Sequence, residues 1–368
     1  MPYIDLHKSK PFDEGTLTKL SIFEQYTKSW LPAFIMQDWI DEINIVDFFS
    51  GPGYDKIYQK GSLLLLLDTI NYHFESIKKK NTKINLFFNE YEKEKYEHLI
   101  QNCNEYLDKN SHLKLYVNIK YYNKDFNDIF SEIITLTQNQ PSLYILDQNG
   151  IKFLNINNFQ KLFPLQRTDF LFFVSSSFFN RFGNDSAFQS HLDIDFDKIK
   201  SNPFKFIHRT VLEKYRSLIP SNSELKLFPF SIKKGSHIHG IIFGSKHILG
   251  VQKFLDIAWK ENKINGQANY DIDDDIKKQQ GTIDFFNEGK KINKIDAFKQ
   301  NLEQFIKNNI KVTNKEIFMF TYGNGHIRKH ADEKLKELKK QKLISYSGHT
   351  KVSWNAIKNN EITYFNWL

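Results

Sequence analysis

The stretch INIVDFFSGPG, residues 43–53, decides the fold of this 368-residue chain. Its first part, INIVDFF, is a nearly continuous apolar run, as a strand buried on both faces of a parallel sheet requires. The turn SGPG follows at once, with Gly51 and Gly53 on either side of a proline. Glycine lets the backbone come close to a ligand, and the amides that follow it can face a carboxylate or a phosphate. The stretch therefore predicts a first central strand that ends in a ligand-binding turn.

Strands and helices alternate along the first two-thirds of the chain, which is the doubly wound α/β pattern. Further strands are predicted at 83–88, 113–119, 142–146 and 169–174, and helices at 17–34 (ending near Pro32), 62–74 (N-cap Ser62), 92–107 and 126–136. Two later strands, 225–232 and 237–243, predict a hairpin that finishes the sheet, and a helix follows at 251–260. We expect a class I methyltransferase-like Rossmann domain over residues 1–261, with a mostly parallel sheet, a terminal antiparallel hairpin and a lid or insertion at about 184–222.

The last third of the chain has a different pattern. Residues 262–293 are polar and contain the acidic run 271–275, so we expect a linker there. Residues 294–354 predict three helices followed by a short hairpin at 343–354, which is the order of a winged helix. We therefore expect a C-terminal winged-helix domain over residues 294–368.

The positive charge of the chain is concentrated in this last third. Residues 286–358 contain 16 lysines and arginines against 7 acids, whereas the whole chain carries a net charge of +8. A solvated lysine surface and a polyanion partner both fit this excess. The predicted recognition helix, 325–341, places Lys329, Lys336 and Lys340 on one face, with Lys351 in the wing beside it. These four lysines are the candidate nucleic-acid contacts; a docking face for an acidic companion is the alternative.

Several classes of protein are excluded or disfavoured by composition. Cys103 is the single cysteine, which excludes an internal disulfide and a cysteine-built zinc site. No run reaches the ~18–20 apolar residues of a membrane span, and the N-terminus lacks the apolar core of a signal peptide. We expect a cytoplasmic protein without membrane contact. His237 and His239 share a strand face, but no acidic or histidine partner other than His247 stands at ligand spacing, so we expect no metal.

The strand ends supply candidate residues for S-adenosylmethionine. Methyltransferases with a two-glycine turn use it and a strand-end acid, here Asp47, for the methionine part of this cofactor. Glu90 ends the second strand about 40 residues later and would accept hydrogen bonds from the ribose hydroxyls, although a capping or surface glutamate is the alternative. After the third strand, Asp125 and Phe126 would serve the adenine as hydrogen-bond acceptor and aromatic wall; capping of the next helix explains Asp125 equally well.

The fourth strand ends in Asp147-Gln148-Asn149-Gly150. Methyltransferases that act on exocyclic amines often place a polar–Pro–Pro–aromatic motif here, and this chain has neither the prolines nor the aromatic residue. Asp147 is the candidate catalytic residue, as a base or as a group that orients the substrate. A plain Asx/Gly turn is the alternative.

Segments in order along nearly the whole chain resemble the three-Cys-motif partner (TcmP) family. They are Lys19 with the WLP of residues 30–32, IVDFFSGPG with GSLLLLL, FFNE, LDQNG, FLFFVSSSFFNRF, HGIIFGSKHILGVQKFLDIAW, NGQANYDIDDD and GHIRKHADEKLKELKKQKLISY. The resemblance implies a methyltransferase-like domain and a companion protein, encoded nearby, that carries the cysteines of the family name. It matches Asp47, Gly51 and Gly53 to the cofactor turn and Glu90 to the ribose acid. Asp147 and Gly150 match a motif that often has Asp-Pro-Phe-Gly in relatives.

Two functions remain open from the sequence. The first is an S-adenosylmethionine-dependent transferase that acts on nucleic acid or is recruited to it, with Asp147, Arg181 and His239 near the substrate. The second is a non-catalytic partner that keeps the Rossmann fold for assembly and docks nucleic acid or the companion protein. The intact Asp47, glycine turn and Glu90 favour the first, and the missing proline and aromatic after Asp147 favour the second.

Overall fold

The computed structural model describes residues 11–147, 153, 155–175, 207–234, 237–276 and 292–368. The chain divides into two compact units, Met1–His247 and Ile248–Leu368. The division falls one helix before the predicted domain end at 261. Residues 184–206 of the predicted lid and 277–291 of the predicted linker lie outside the described residues, as do Arg181 and residues 148–150.

The first unit is built on a seven-stranded sheet of order β3-β2-β1-β4-β5-β7-β6. Strands β1 to β7 are Glu42–Asp47, Lys83–Asn89, Val117–Tyr122, Ser142–Leu146, Thr168–Ser175, Lys226–Lys234 and His237–Ser245. Only β7 runs antiparallel to its neighbours, β5 and β6, in this sheet. This order and these directions define the class I methyltransferase-like Rossmann fold, and the predicted fold, including the terminal hairpin, is confirmed.

Helices flank this sheet in the described parts of the first unit. Helices α1 to α7 are Glu14–Ile35, Ser62–Tyr72, Phe74–Lys80, Lys93–Lys109, Phe126–Thr137, Ile156–Gln160 and Ile207–Leu218, and a 3₁₀ helix covers Ser111–Leu115. The 3₁₀ helix buries Leu113 and occupies the predicted start of β3. The strand therefore begins at Val117 instead of residue 113. Of the predicted lid, 207–218 is helix α7.

Helix α1 continues through Pro32 to Ile35, one residue beyond the predicted bound of 34. Proline has no N–H, so the carbonyl of Lys28 cannot receive the usual helical hydrogen bond from residue 32. The ring Nε2 of His73 donates to this carbonyl at 2.8 Å instead. A tertiary donor thus replaces the missing helical one.

The face of α1 that packs on the sheet is aromatic. Tyr26 and Trp30 are almost completely buried. The Tyr26 hydroxyl donates to Asp169 Oδ2 at 2.6 Å, and its ring packs on Phe243 with the centroids 4.9 Å apart. Helix α1 is therefore joined to both β5 and β7, strands that lie far from it in sequence.

The second unit is a winged helix preceded by one further helix. Its elements are α8 Ile248–Glu261, α9 Lys294–Asn309, β8 Lys311–Thr313, α10 Asn314–Gly323, α11 Arg328–Lys340, β9 Ile344–Ser345, α12 Trp354–Lys358 and β10 Tyr364–Trp367. The small sheet has the order β8-β10-β9. The predicted hairpin at 343–354 is wrong, because β9 pairs with β10 rather than with residues 350–354. Gly348 at φ +66° and the Ser353 cap of α12 interrupt the strand pattern there.

The described part of the predicted linker, 262–276, is a packed turn. Asn262 and Asn265 both donate their side-chain amides to the carbonyl of Tyr270, at 3.1 and 2.9 Å. In the acidic run, the Asp271 carboxylate accepts the amides of Asp275 and Ile276 at 2.8 and 2.9 Å. These acids organise backbone, which explains why an acidic run can be part of a folded segment.

Candidate functional site

The glycine turn after β1 has the geometry that the sequence predicts. Gly51 and Gly53 have φ values of +66° and +106°, a backbone conformation that residues other than glycine rarely adopt. A Cβ on Gly51 would meet nothing within 4 Å, whereas one on Gly53 would lie 3.2 Å from Asn102. The carbonyl of Gly53 accepts the Gly61 amide at 2.7 Å, which closes the loop onto the start of α2. The turn is therefore fixed on its inner side and open in front of Gly51.

Asp47 lies behind this turn and is completely buried. Its Oδ1 accepts the Phe49 amide at 3.1 Å, and its Oδ2 accepts the Ser62 hydroxyl at 2.5 Å. Ser62 was predicted as the N-cap of α2, but the cap is Gly61 and the Ser62 side chain faces Asp47. Asp47 therefore shapes the turn from beneath.

Glu90 joins the end of β2 to the same turn. Its Oε2 accepts the Gly51 amide at 3.0 Å, and its Oε1 accepts the Glu92 amide at 2.9 Å. Burial raises the pKa of Glu90, while the Glu92 amide, Lys95 and the Gly51 amide oppose this shift. Each carboxylate oxygen has a second lone pair, so Glu90 can still accept a hydrogen bond from a ligand.

Asn89, which sequence reasoning did not single out, connects the loops that follow β1, β2 and β3 by hydrogen bonds. Its side-chain amide donates to the carbonyls of Phe48 and Lys124 at 3.2 and 3.1 Å, and its Oδ1 accepts the Lys124 amide at 3.1 Å. The Asn89 carbonyl accepts the Ser50 amide at 3.0 Å. A buried Asn at a strand end was the available signal, because a buried amide requires several partners.

The two residues predicted to serve the adenine have clear structural roles. Asp125 is the N-cap of α5, and its Oδ1 accepts the Asn127 amide at 2.9 Å. Phe126 is buried and stacks on Phe49 with the centroids 5.3 Å apart. Capping, the alternative considered for Asp125, is therefore what the structure has, and a contact of either residue with adenine stays a prediction.

Asp147 forms an ion pair with Lys19 of helix α1. Lys19 Nζ lies 2.7 Å from Oδ1 and 2.5 Å from Oδ2 of Asp147. The two side chains are 11% and 21% exposed, so the pair is shielded from solvent but not sealed. The strand-end acid thus has its own counter-ion in the site.

Aromatic rings extend this site along the ends of β5 and β7. Lys19 Nζ lies 4.6 Å from the ring centroid of Phe173. The Phe173 ring stacks on His239 with the centroids 5.3 Å apart and the planes at 22°. His239 was predicted near the substrate, whereas Lys19 appeared only as part of a resemblance. Its position three and four residues before Ile22 and Phe23, on the buried face of α1, was the signal for a buried lysine.

The candidate nucleic-acid residues are on α11 and in the loop after it. Lys329 lies 3.9 Å from Glu333 and is 74% exposed, while Lys351 pairs with Glu361 at 2.9 Å. Lys336 and Lys340 are exposed and make no ion pair with the residues that the structure describes. Ala331, Leu335 and Leu338 are buried, as the helical period predicts. Two lysines of the predicted stripe are therefore unengaged, and Lys351 is already neutralised.

The described residues lack two kinds of feature. Across ranges 11–147, 155–175, 207–234, 237–276 and 292–368, no three His, Cys, Asp or Glu side chains form a group that could hold a metal ion. In the same parts of the chain, no helix has the length and apolar character needed to cross a membrane.

The buried carboxyl of Asp47 gives a prediction about pH. Burial raises its pKa to about 7, and Asp147 adds to the shift, whereas the hydrogen bonds from Ser62 and Phe49 oppose it. An unfolded chain ionises this group near pH ~4, so ionisation favours the unfolded state as pH rises from ~4 to ~7. We expect Asp47→Asn to remove this loss of folding stability with rising pH. Between about pH 5 and pH 7, its free energy of unfolding should fall by ~2 kcal/mol less than that of the unsubstituted chain.

The measurement is urea unfolding followed by circular dichroism, fitted with one transition for each unit. Asp41→Asn, at an exposed aspartate, is the control. Parallel pH curves for Asp47→Asn and the unsubstituted chain would contradict the prediction.

Comparisons with known proteins give a family match within the second unit and weak structural likenesses for the chain. Residues 270–351 match the family model of the GMT-like wHTH domain, a winged helix-turn-helix. No curated protein matches the chain. Among solved structures, it is similar to a candidate class I S-adenosylmethionine-dependent methyltransferase from Listeria monocytogenes, at 10% identity and a TM-score of 0.31 over 64% of this chain and 62% of that one. It is also similar to a human methyltransferase 10 domain containing protein, at 10% identity and a TM-score of 0.29 over 67% and 89%.

The chain thus spans less than two-thirds of the Listeria protein. Likenesses as weak as these add nothing to the fold assignment of the first unit. That assignment rests on the order and directions of its strands. The family model agrees with the winged helix observed in the second unit, and its match begins inside the predicted linker.

Proposed function

We propose that this protein binds S-adenosylmethionine at the glycine turn and is a methyltransferase that acts on nucleic acid or is recruited to it. The observation that carries the proposal is the pairing of Gly51 with Glu90. The turn is open in front of Gly51, and a partly buried carboxylate lies directly beneath it. Ligands of open α/β sheets bind at the carboxyl ends of the strands, where this pairing is located.

The residues around the turn fit such a ligand. A cradle without side chains at Gly51 allows backbone contact with the methionine part, and Glu90 can accept hydrogen bonds from ribose hydroxyls. Asp47 and Asn89 fix the loops that form the cradle. When bound, S-adenosylmethionine supplies an electrophilic methyl group on a sulfonium. The chain itself binds, orients and excludes water.

The Lys19–Asp147 pair gives this transferase its acceptor site. Because Lys19 holds both carboxylate oxygens of Asp147, the acid is fixed in place to orient an acceptor by hydrogen bonding. The stacked Phe173 and His239 provide a planar surface beside it. A planar acceptor with a polar edge, such as a nucleobase, has matching chemistry.

The same ion pair also favours a second function. Lys19 already occupies both oxygens of this strand-end acid, and the prolines and aromatic of amine methyltransferases do not follow it in the sequence. A non-catalytic protein that binds S-adenosylmethionine or only keeps the fold, and docks nucleic acid through its winged helix, is consistent with this. Methyl-transfer assays separate the two functions.

We further propose membership of the three-Cys-motif partner family, action together with a companion protein encoded nearby, and a cytoplasmic location. The winged helix and the basic excess of residues 286–358 support nucleic acid as the target. Co-expression and co-purification with the product of an adjacent cysteine-rich gene test the companion.

Cofactor binding is tested by calorimetry of the purified chain with S-adenosylmethionine and S-adenosylhomocysteine. Glu90→Gln keeps the size of the side chain but removes its charge, so the ribose hydroxyls lose a charged acceptor. We expect binding to weaken by ~1–3 kcal/mol. Glu97→Gln, at an exposed glutamate of α4, is the matched control and should bind as the unsubstituted chain does. Absence of binding heat at millimolar cofactor in the unsubstituted chain would reject the cofactor.

A further inference from the structure

A cleft of about 260 Å³ lies between α11 and the turn at residues 346–350. Its lining includes Arg328, Asp332 and Lys336 from the helix and Gly348, His349 and Thr350 from the turn. We call it the α11 cleft. It belongs entirely to the second unit, and the lysine stripe described above shares only Lys336 with it.

Asp332 organises this cleft. Its Oδ2 accepts a hydrogen bond from Arg328 Nε at 2.9 Å, and its Oδ1 accepts the Thr350 hydroxyl at 2.5 Å. Both carboxylate oxygens are therefore engaged, which reduces the repulsion that this acid would exert on an anion. The two bonds also join the helix to the turn, so the cleft is preorganised.

The same contact orients the arginine. Since Asp332 holds Arg328 through Nε, both terminal nitrogens of the guanidinium remain without a partner in the described parts of the chain. Arg328 is 48% exposed. A guanidinium presents paired donors in a fixed plane, the geometry that matches two oxygens of one phosphate.

The remaining walls favour a phosphate over a base. Lys336 is exposed and unpaired among the described residues, and His349 adds ring nitrogens. Tyr346 is not available for base stacking, because Lys339 Nζ lies 4.0 Å from its ring centroid and Phe365 packs 4.9 Å away. At Gly348 a Cβ would meet nothing within 4 Å, so the turn leaves room for a close approach.

We propose that the α11 cleft binds a backbone phosphate of nucleic acid, with Arg328 as its bidentate ligand, Lys336 and His349 as further donors, and Asp332 as the positioning residue. This inference rests on nucleic acid as the proposed target. It differs from a uniform lysine surface, because one oriented arginine offers paired donors to a single phosphate.

The test uses the full chain and fluorescence anisotropy with a labelled mixed-sequence duplex, and with its separate single strand, over a series of KCl concentrations. Arg328→Gln should weaken binding at least about tenfold and reduce the magnitude of the log–log salt slope by ~0.9 for duplex or ~0.7 for single strand. Arg328→Lys should keep most of the slope but still bind several-fold more weakly, because lysine lacks the paired donors. Lys358→Gln, at an exposed lysine of α12, is the matched control.

Each outcome supports or overturns phosphate binding in the α11 cleft. Equal binding by Arg328→Gln and Lys358→Gln, with binding still sensitive to Lys340→Gln, would overturn the cleft and leave the proposed target intact. Failure of the unsubstituted chain to bind either probe would overturn both. Binding that requires a 5′-phosphate on the probe would overturn the assignment to a backbone phosphate. Circular dichroism of each variant verifies that it is folded.

Discussion

Alanine in place of Asp147 is expected to lower methyl transfer by ~10²–10⁴-fold, the usual contribution of a positioned polar catalytic group. Cofactor affinity should change little, because the groups around the glycine turn are Gly51, Asp47 and Glu90 rather than Asp147. The measurement is transfer of labelled methyl from S-adenosylmethionine to total nucleic acid and to co-purified protein, with cofactor binding followed in parallel by calorimetry. Full activity in Asp147→Ala would move the catalytic role elsewhere.

The ion pair makes a control necessary. Asp147→Ala leaves Lys19 in a site where its side chain is only 11% exposed, and breaking such a pair costs ~3 kcal/mol when burial is complete. Lys19→Met with Asp147→Leu removes both charges and should recover most of this stability without recovering activity. A double variant that is active would show that the pair is structural. Absence of labelled product with the unsubstituted chain would favour the non-catalytic function.

Charge reversal on α11 is expected to have the second large effect. With Lys329, Lys336 and Lys340 all changed to glutamate, the log–log salt slope of duplex binding should fall in magnitude by at least ~2.7, or ~0.9 for each lost phosphate contact. Affinity should fall for all sequences alike, because phosphate contacts carry no base information. Lys351→Glu should matter less, since Glu361 already neutralises this lysine at 2.9 Å.

The control is the same change of charge in the other unit, with the exposed Lys78, Lys79 and Lys109 changed to glutamate. It alters net charge equally but leaves α11 intact, so its slope should stay near that of the unsubstituted chain. A folded α11 variant whose slope is unchanged would exclude this helix as the contact surface.

The fold was predictable because its signals are local. An apolar strand followed by SGPG, and a final pair of strands after the parallel series, were sufficient for the topology of the sheet. The wing was mispredicted because its pairing is not local. Strand β9 joins β10, which lies beyond the polar residues and the short helix α12, and no sequence period links the two.

The candidate site was only partly predictable for the same reason. Glu90 beneath Gly51 follows from two strand ends that a parallel sheet must bring together. The partner of Asp147 comes instead from Lys19, 128 residues earlier. Its position depends on how α1 packs over the finished sheet. Arg328 and Thr350 meet through Asp332 only after the second unit has folded. Contacts of this kind depend on tertiary packing, and local patterns do not encode them.

The packing of helix α1 has a consequence for synthesis of the protein. Tyr26 contacts Asp169 of β5 and Phe243 of β7, so its partners leave the ribosome long after the helix does. At ~5–20 residues per second, the ~200 residues between α1 and Phe243 take ~10–40 s to translate. During that interval the aromatic face of α1 lacks its β7 partner. The packing of α1 on the sheet is therefore completed only after β7 has emerged.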